Sequence, residues 1–110
     1  MNDQELLELA AKAAGIEIYW HNSKRCYVSD PATPWNPLTD DGDALRLAVK
    51  RRLAIEFSST GVYVGRDPED LDGDWVFESL KRNTLGQDEY AATRRAITRA
   101  AAAEIGKGMK

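Results

Sequence analysis

His21 and Cys26 are the single histidine and the single cysteine of this 110-residue chain, so any thiolate–imidazole nucleophile would have to be built from these two. Such a pair works when the imidazole reaches the thiol within hydrogen-bond range and a third group orients the ring. Their flanks bring them close. Ile16-Glu17-Ile18-Tyr19-Trp20-His21, Asn22-Ser23-Lys24-Arg25 and Cys26-Tyr27-Val28-Ser29 read as a β-hairpin with a two- or four-residue loop. Either loop gives one register: Ile18 with Ser29, Tyr19 with Val28, Trp20 with Tyr27 and His21 with Cys26, the last two about 5 Å apart at Cβ. No third group is in view, so the pair reads as neighbours on a sheet surface and no catalytic residue is assigned. One His and one Cys also fall short of the ligands that common zinc sites draw from those types, and Cys26 has no disulfide partner in the chain, which suits a reducing compartment. No metal or cofactor is expected.

Charge carries the next set of candidates. Residues 67 to 78 hold six acids and no base, and residues 94 to 110 hold five bases and one acid. The simplest reading is an acidic surface loop before a helix with a basic exposed side, the two placed to face each other. Asp70, Asp72 and Gly73 imitate an EF-hand calcium loop, but the first and last ligand positions would be Pro68 and Ser79, which lack carboxylates. Arg94, Arg95 and Arg99, with Lys50, Arg51 and Arg52 of an earlier helix, could form a phosphate-binding surface; the net charge of −3 and the absence of a nucleic-acid motif weigh against it. Pro31, Pro34 and Pro37 make two overlapping PxxP triplets, read as a stiff connector that seats Trp35. Gly61-Val62-Tyr63-Val64-Gly65 has the wrong spacing to cradle phosphate, and no Ser sits in a nucleophile elbow.

The elements that position these residues follow from periodicity and caps. A first helix spans residues 3 to 14, with Leu6, Leu9, Ala10 and Ala13 on one stripe, Asn2 and Glu5 as a capping box and Gly15 as its stop. The first hairpin gives one apolar face of Ile16, Ile18, Trp20 and Tyr27 and a mixed face of Tyr19, His21, Cys26 and Val28. After the proline connector, Thr39 or Asp40 caps a second helix to about Arg51, burying Leu45, Ala48, Val49 and the stem of Arg52, with Leu47 at the margin. A second hairpin pairs Phe57 with Val62 and Ile55 with Val64, which puts all four on one face. Trp75-Val76-Phe77 is either a short edge strand or the start of a helical turn. A last helix runs from about Asp88 to Ile105, after the breaker Gly86, with Tyr90, Ile97, Ala101 and Ile105 on its stripe; Gly106 and Gly108 end it and leave a flexible basic tail at 106–110.

Two segments resemble a known family: residues 35 to 50, WNPLTDDGDALRLAVK, and residues 91 to 102, AATRRAITRAAA. The chain resembles small tailed-phage and prophage proteins of unknown function grouped as a phage α-β-α sandwich domain. The resemblance implies a sheet with helices on both faces, and no activity, because the family has no established catalytic or binding residues. The W-x-P-x-x-D-x-x-D-A-L-R-L pattern also has an architectural reading: Trp35 and Pro37 fix the entry, the Asp residues stabilise the helix start, Leu45 docks on the sheet, and Arg46 reaches back to Asp43 or Asp41.

With 43% apolar and 30% charged residues, the chain fits one soluble domain over residues 1–110, of α+β class and three-layer α-β-α form, its antiparallel hairpins joined in one sheet. No apolar run approaches the roughly 18 residues needed to cross a bilayer, and the acidic start does not fit a signal peptide. The expected location is the cytoplasm of an infected bacterial host. The expected function is that of a non-enzymatic phage accessory protein that binds a host or phage protein, with Arg94, Arg95, Arg99, Asp70, Asp72 and Trp35 as its interaction surface. The alternatives are a nucleic-acid-binding regulator using the Arg-bearing helices, and a small-ligand trap or enzyme around Tyr19, His21 and Cys26.

Overall fold

Helix α1 (Asp3–Ala14) starts where Asn2 Oδ1 accepts the Glu5 backbone N–H at 2.8 Å. It stops where Gly15 adopts φ 72°, a left-handed turn that lets the Gly15 and Ile16 N–H groups close on the Lys12 and Ala11 carbonyls. The computed structural model describes residues 2–29, 33–66, 75–79 and 89–108, with side chains of the last helix described through 105. Pro31, Asp70, Asp72, Gly73, Gly86 and residues 109–110 lie outside that set, and with them most of the acidic block and the calcium-loop imitation.

The first hairpin forms in the register read from the sequence, β1 (Ile18–His21) against β2 (Cys26–Ser29), and gains β3 (Thr33–Pro34) on its far side. A proline in that strand is tolerated because β3 is an edge. After α2 (Asp41–Arg51), the second hairpin, β4 (Ala54–Phe57) against β5 (Gly61–Gly65), also keeps its expected register. Val76–Ser79 resolves as strand β6 on the other side of β5 rather than a helical turn. The class is α+β in a single domain, with helices packed against sheets. Among the described residues the strands form two three-stranded antiparallel sheets rather than one, with the proline segment and α2 lying between the two hairpins in the chain.

Helix α3 (Glu89–Gly108) is the centre of the packing. It lies against α1, α2, β5 and β6, and its Ala96, Ile97, Ala100 and Ala101 join Leu7, Ala10, Leu47, Val62 and Val64 in one core. The run of alanines is what lets three helices and a sheet approach one axis closely. The helix continues to Gly108, past the Gly106 at which a tail was expected, since one glycine inside a helix costs only about 1 kcal/mol.

Helix faces depart from the expected stripes. In α2 the buried residues are Asp43, Ala44, Leu47 and Ala48, whereas Leu45 and Val49 are 61% and 68% exposed, so Leu45 does not dock on the sheet. The stripe is shifted by one residue because polar anchors set the rotation: Asp43 is tied to the connector at one end, and Arg51 points inward to Glu104 and the Ala13 carbonyl at the other. Arg52 instead caps the helix at φ 55°. In α1, Leu7 is buried and Leu9 only half-buried, because α1 meets both α3 and α2. Tyr90 is 68% exposed rather than on the core stripe of α3. In the first hairpin, Trp20 is half-exposed and stacks edge-on against Tyr27 at 5.4 Å, while Val28, expected on the mixed face, is fully buried.

Candidate functional site

The expected interaction residues are mostly committed within the chain. Arg94 is largely buried; its Nε donates to the Leu38 carbonyl at 2.9 Å and its Nη1 pairs with Asp41 at 2.6 Å, so it ties α3 to the start of α2. Arg95 pairs with Asp3 at 3.1 Å and joins α3 to α1. Arg99 pairs with Glu78 and donates to the Phe77 carbonyl, which joins α3 to β6. Glu78 belongs to the acidic block, so the expected facing of basic helix and acidic block holds at this one described contact. Trp35 is buried in the core and shows only a small part of its surface, in a second concavity it lines with Asp43, Arg46 and Lys50. Arg51 completes the set through its pair with Glu104.

His21 and Cys26 face each other across β1 and β2. His21 Nδ1 accepts the Lys24 backbone N–H at 3.1 Å, so that nitrogen serves the hairpin turn. Cys26 is a half-buried free thiol. Tyr27, the neighbour of Cys26, donates to Glu8 Oε1 at 3.3 Å. Loss of hydration, followed by the Glu8 charge, raises its hydroxyl above the ordinary value of 10.0. The Tyr27–Glu8 bond ties the hairpin to α1, and none of these contacts among the described residues brings a third group to the thiol and imidazole. Among the described residues, no group of three or more His, Cys, Asp or Glu side chains is placed to hold a metal ion.

A concave feature lies elsewhere, lined by apolar side chains of three elements. A groove of about 620 Å³ runs between α2, β4 and the first half of α3. Its existence follows from the sheet geometry: α3 lies over β5 and β6 and covers Val62 and Val64, so the same face of β4 is left without a helix. Ile55 and Ile97 form its floor, and Leu45, Phe57 and Tyr90 stand around it, Phe57 being 70% exposed. The Asp41–Arg94 ion pair and Glu89 border one end. Ser58 and Thr93 also line it, and the apolar residues between these polar ones give a space that suits apolar side chains.

Periodicity puts Leu45 and Tyr90 in the core, where they would leave no groove; Phe57 does share the face of Val62 and Val64, but at an exposed end of it. The signal was present in an excess of apolar residues on α2: Leu45, Leu47, Ala48 and Val49 are too many for one buried stripe. Among the described residues, no helix is long and apolar enough to cross a membrane. No family model, curated protein or solved structure matches the chain.

Proposed function

We propose that the chain is a non-enzymatic accessory protein, of tailed-phage or prophage origin, that acts by docking an apolar segment of a protein partner in the groove between α2, β4 and α3. The origin rests on the resemblance of residues 35–50 and 91–102 to phage proteins. The single observation that carries the docking function is the convergence of exposed Leu45, Phe57 and Tyr90, from three separate elements, on one groove of about 620 Å³. Isolated exposed apolar residues need no explanation, but a contiguous set around a concavity marks an interaction site. The arginines support this reading over nucleic-acid binding, since Arg94, Arg95 and Arg99 are held by Asp41, Asp3 and Glu78 of the same chain. Phosphate contact would have to break those pairs.

The test is selection of a displayed random-peptide library on the wild-type chain and on the Leu45→Asp, Phe57→Ser double variant. Enrichment of peptides with apolar anchors on the wild type, abolished in the variant, is the expected result. No enrichment, or enrichment equal on both proteins, overturns the assignment.

A further inference from the structure

We infer that the second concavity, beside Trp35, binds a small carboxylic acid with an apolar body, held as its monoanion between α2 and the first sheet. This site is separate from the groove and does not depend on the docking function. The cavity measures about 410 Å³ and is walled by the end of α1, by β2 and β3, and by one side of α2. A volume in that range fits a small molecule. Ile16, Pro34, Trp35 and Leu47 supply apolar surface on which a hydrocarbon or aromatic body is taken out of water.

The polar groups around this surface favour one negative charge. Arg46 and Lys50 both line the cavity one turn apart on α2, and like charges at that spacing repel unless an anion stands between them. Asp43, the acid of the lining, has both oxygens engaged, Oδ2 by the Asn36 N–H and Oδ1 by Arg46. Arg46 also lies 3.8 Å from Asp40, so its charge is balanced, whereas Lys50 has no ion pair among the described residues. Trp35 is only 6% exposed, and among the described residues its indole N–H has no hydrogen-bond partner, although buried indoles normally find one. Ser29 and Thr33 bring hydroxyls to the same cavity, and the Ser29 bond to the Thr33 carbonyl, at 3.5 Å, is long enough to yield to a charged acceptor. A carboxylate has lone pairs enough for an ammonium, an indole N–H and a hydroxyl together. A phosphate would bring a further negative charge towards Asp43.

The test is a map of backbone amide and indole N–H shifts of the isotopically labelled full chain at neutral pH, titrated to about 20 mM with benzoate, phenylacetate or isovalerate, and with benzyl alcohol and inorganic phosphate as controls. At least one of the acids should give saturable shifts of the Trp35 indole N–H and of the Thr33, Leu47 and Lys50 amides, with Phe57 and Tyr90 of the groove unmoved. The alcohol lacks the charge and the phosphate lacks the apolar body, so each should bind at least about tenfold more weakly than that acid. Lys50 is exposed, so Lys50→Gln should leave the thermal melt unchanged while weakening the acid by on the order of 10-fold. No saturable shift with any of the three acids overturns the inference, as do shifts centred away from Trp35. Benzyl alcohol or phosphate binding as tightly as the acids, or an acid that Lys50→Gln leaves unweakened, also overturns it.

Discussion

Asp43 is the test of how α2 is oriented, because its carboxylate is 7% exposed yet carries two bonds of different worth. Oδ2 accepts the backbone N–H of Asn36 at 2.9 Å, in a part-buried setting, while Oδ1 accepts Arg46 Nη2 at 2.8 Å. The Arg46 side chain is 73% exposed, so that ion pair contributes only about 0–1 kcal/mol. The Asn36 contact is a charge-assisted bond to a backbone donor that would otherwise be left unmade, worth roughly 1.5–3 kcal/mol. Arg46→Ala should therefore cost less than about 1 kcal/mol. Asp43→Ala should cost roughly 2–4 kcal/mol, or on the order of 10 °C in Tm for a domain of this size. Asp43→Asn, which keeps one acceptor oxygen for Asn36, should fall between them. Urea unfolding followed by far-ultraviolet circular dichroism measures all three. Equal losses for Arg46→Ala and Asp43→Ala, or a loss below about 0.5 kcal/mol for Asp43→Ala, would refute the argument that a backbone anchor sets the helix rotation.

Three further outcomes follow from single residues. Arg52 holds φ 55° at the end of α2, where a side chain is strained, so Arg52→Gly should stabilise the fold by about 0.5–1 kcal/mol in thermal melts, net of the added freedom of the unfolded chain. Gly65 lies under the Trp75 ring, with room for a Cβ only 2.5 Å from it, so Gly65→Ala should displace the ring and cost about 1–3 kcal/mol, read from chemical unfolding. The Tyr27 hydroxyl titrates higher in the folded chain than in the unfolded one. Its contribution is therefore fully present below about pH 10 and is lost as pH rises through the folded value, as the unfolded chain ionises first. Tyr27→Phe should remove that part of the alkaline decline in stability, measured as the difference between the two proteins across pH 9–11.5.

Much of the fold is legible in the residues, and the rest was hidden for a specific reason. The first hairpin's register follows from its loop length, and the second from alternation, because a slip of one residue would turn Val62 and Val64 outward. The caps at Asn2, Gly15 and Asp40 follow from local hydrogen-bonding chemistry that needs no tertiary information. The expected W-x-P-x-x-D-x-x-D architecture is visible in the buried Trp35 and Pro37, the Asp40 cap and the Asp43–Arg46 pair. What periodicity could not decide was which of two adjacent stripes on α2 faces inward. Burial of Leu45 and Val49 would have been favoured by hydrophobicity alone. The stripe with Asp43 and Arg51 is inside because their partners, Asn36, Glu104 and the Ala13 carbonyl, come from distant parts of the chain. The groove shared that obscurity, since Leu45, Phe57 and Tyr90 each look like core residues until the position of α3 over β5 and β6 is known. The arginines look free for the same reason: Asp3 and Asp41 are far from Arg95 and Arg94 in sequence and adjacent in the fold.

A map of backbone amide shifts on adding a selected apolar peptide tests most directly where a protein segment docks. The expected perturbations cluster at Leu45, Ile55, Phe57, Tyr90 and Ile97, with the amides around His21, Cys26, Arg95 and Arg99 unmoved. Perturbations centred on the first hairpin or on the arginine face of α3, with the groove silent, would contradict it.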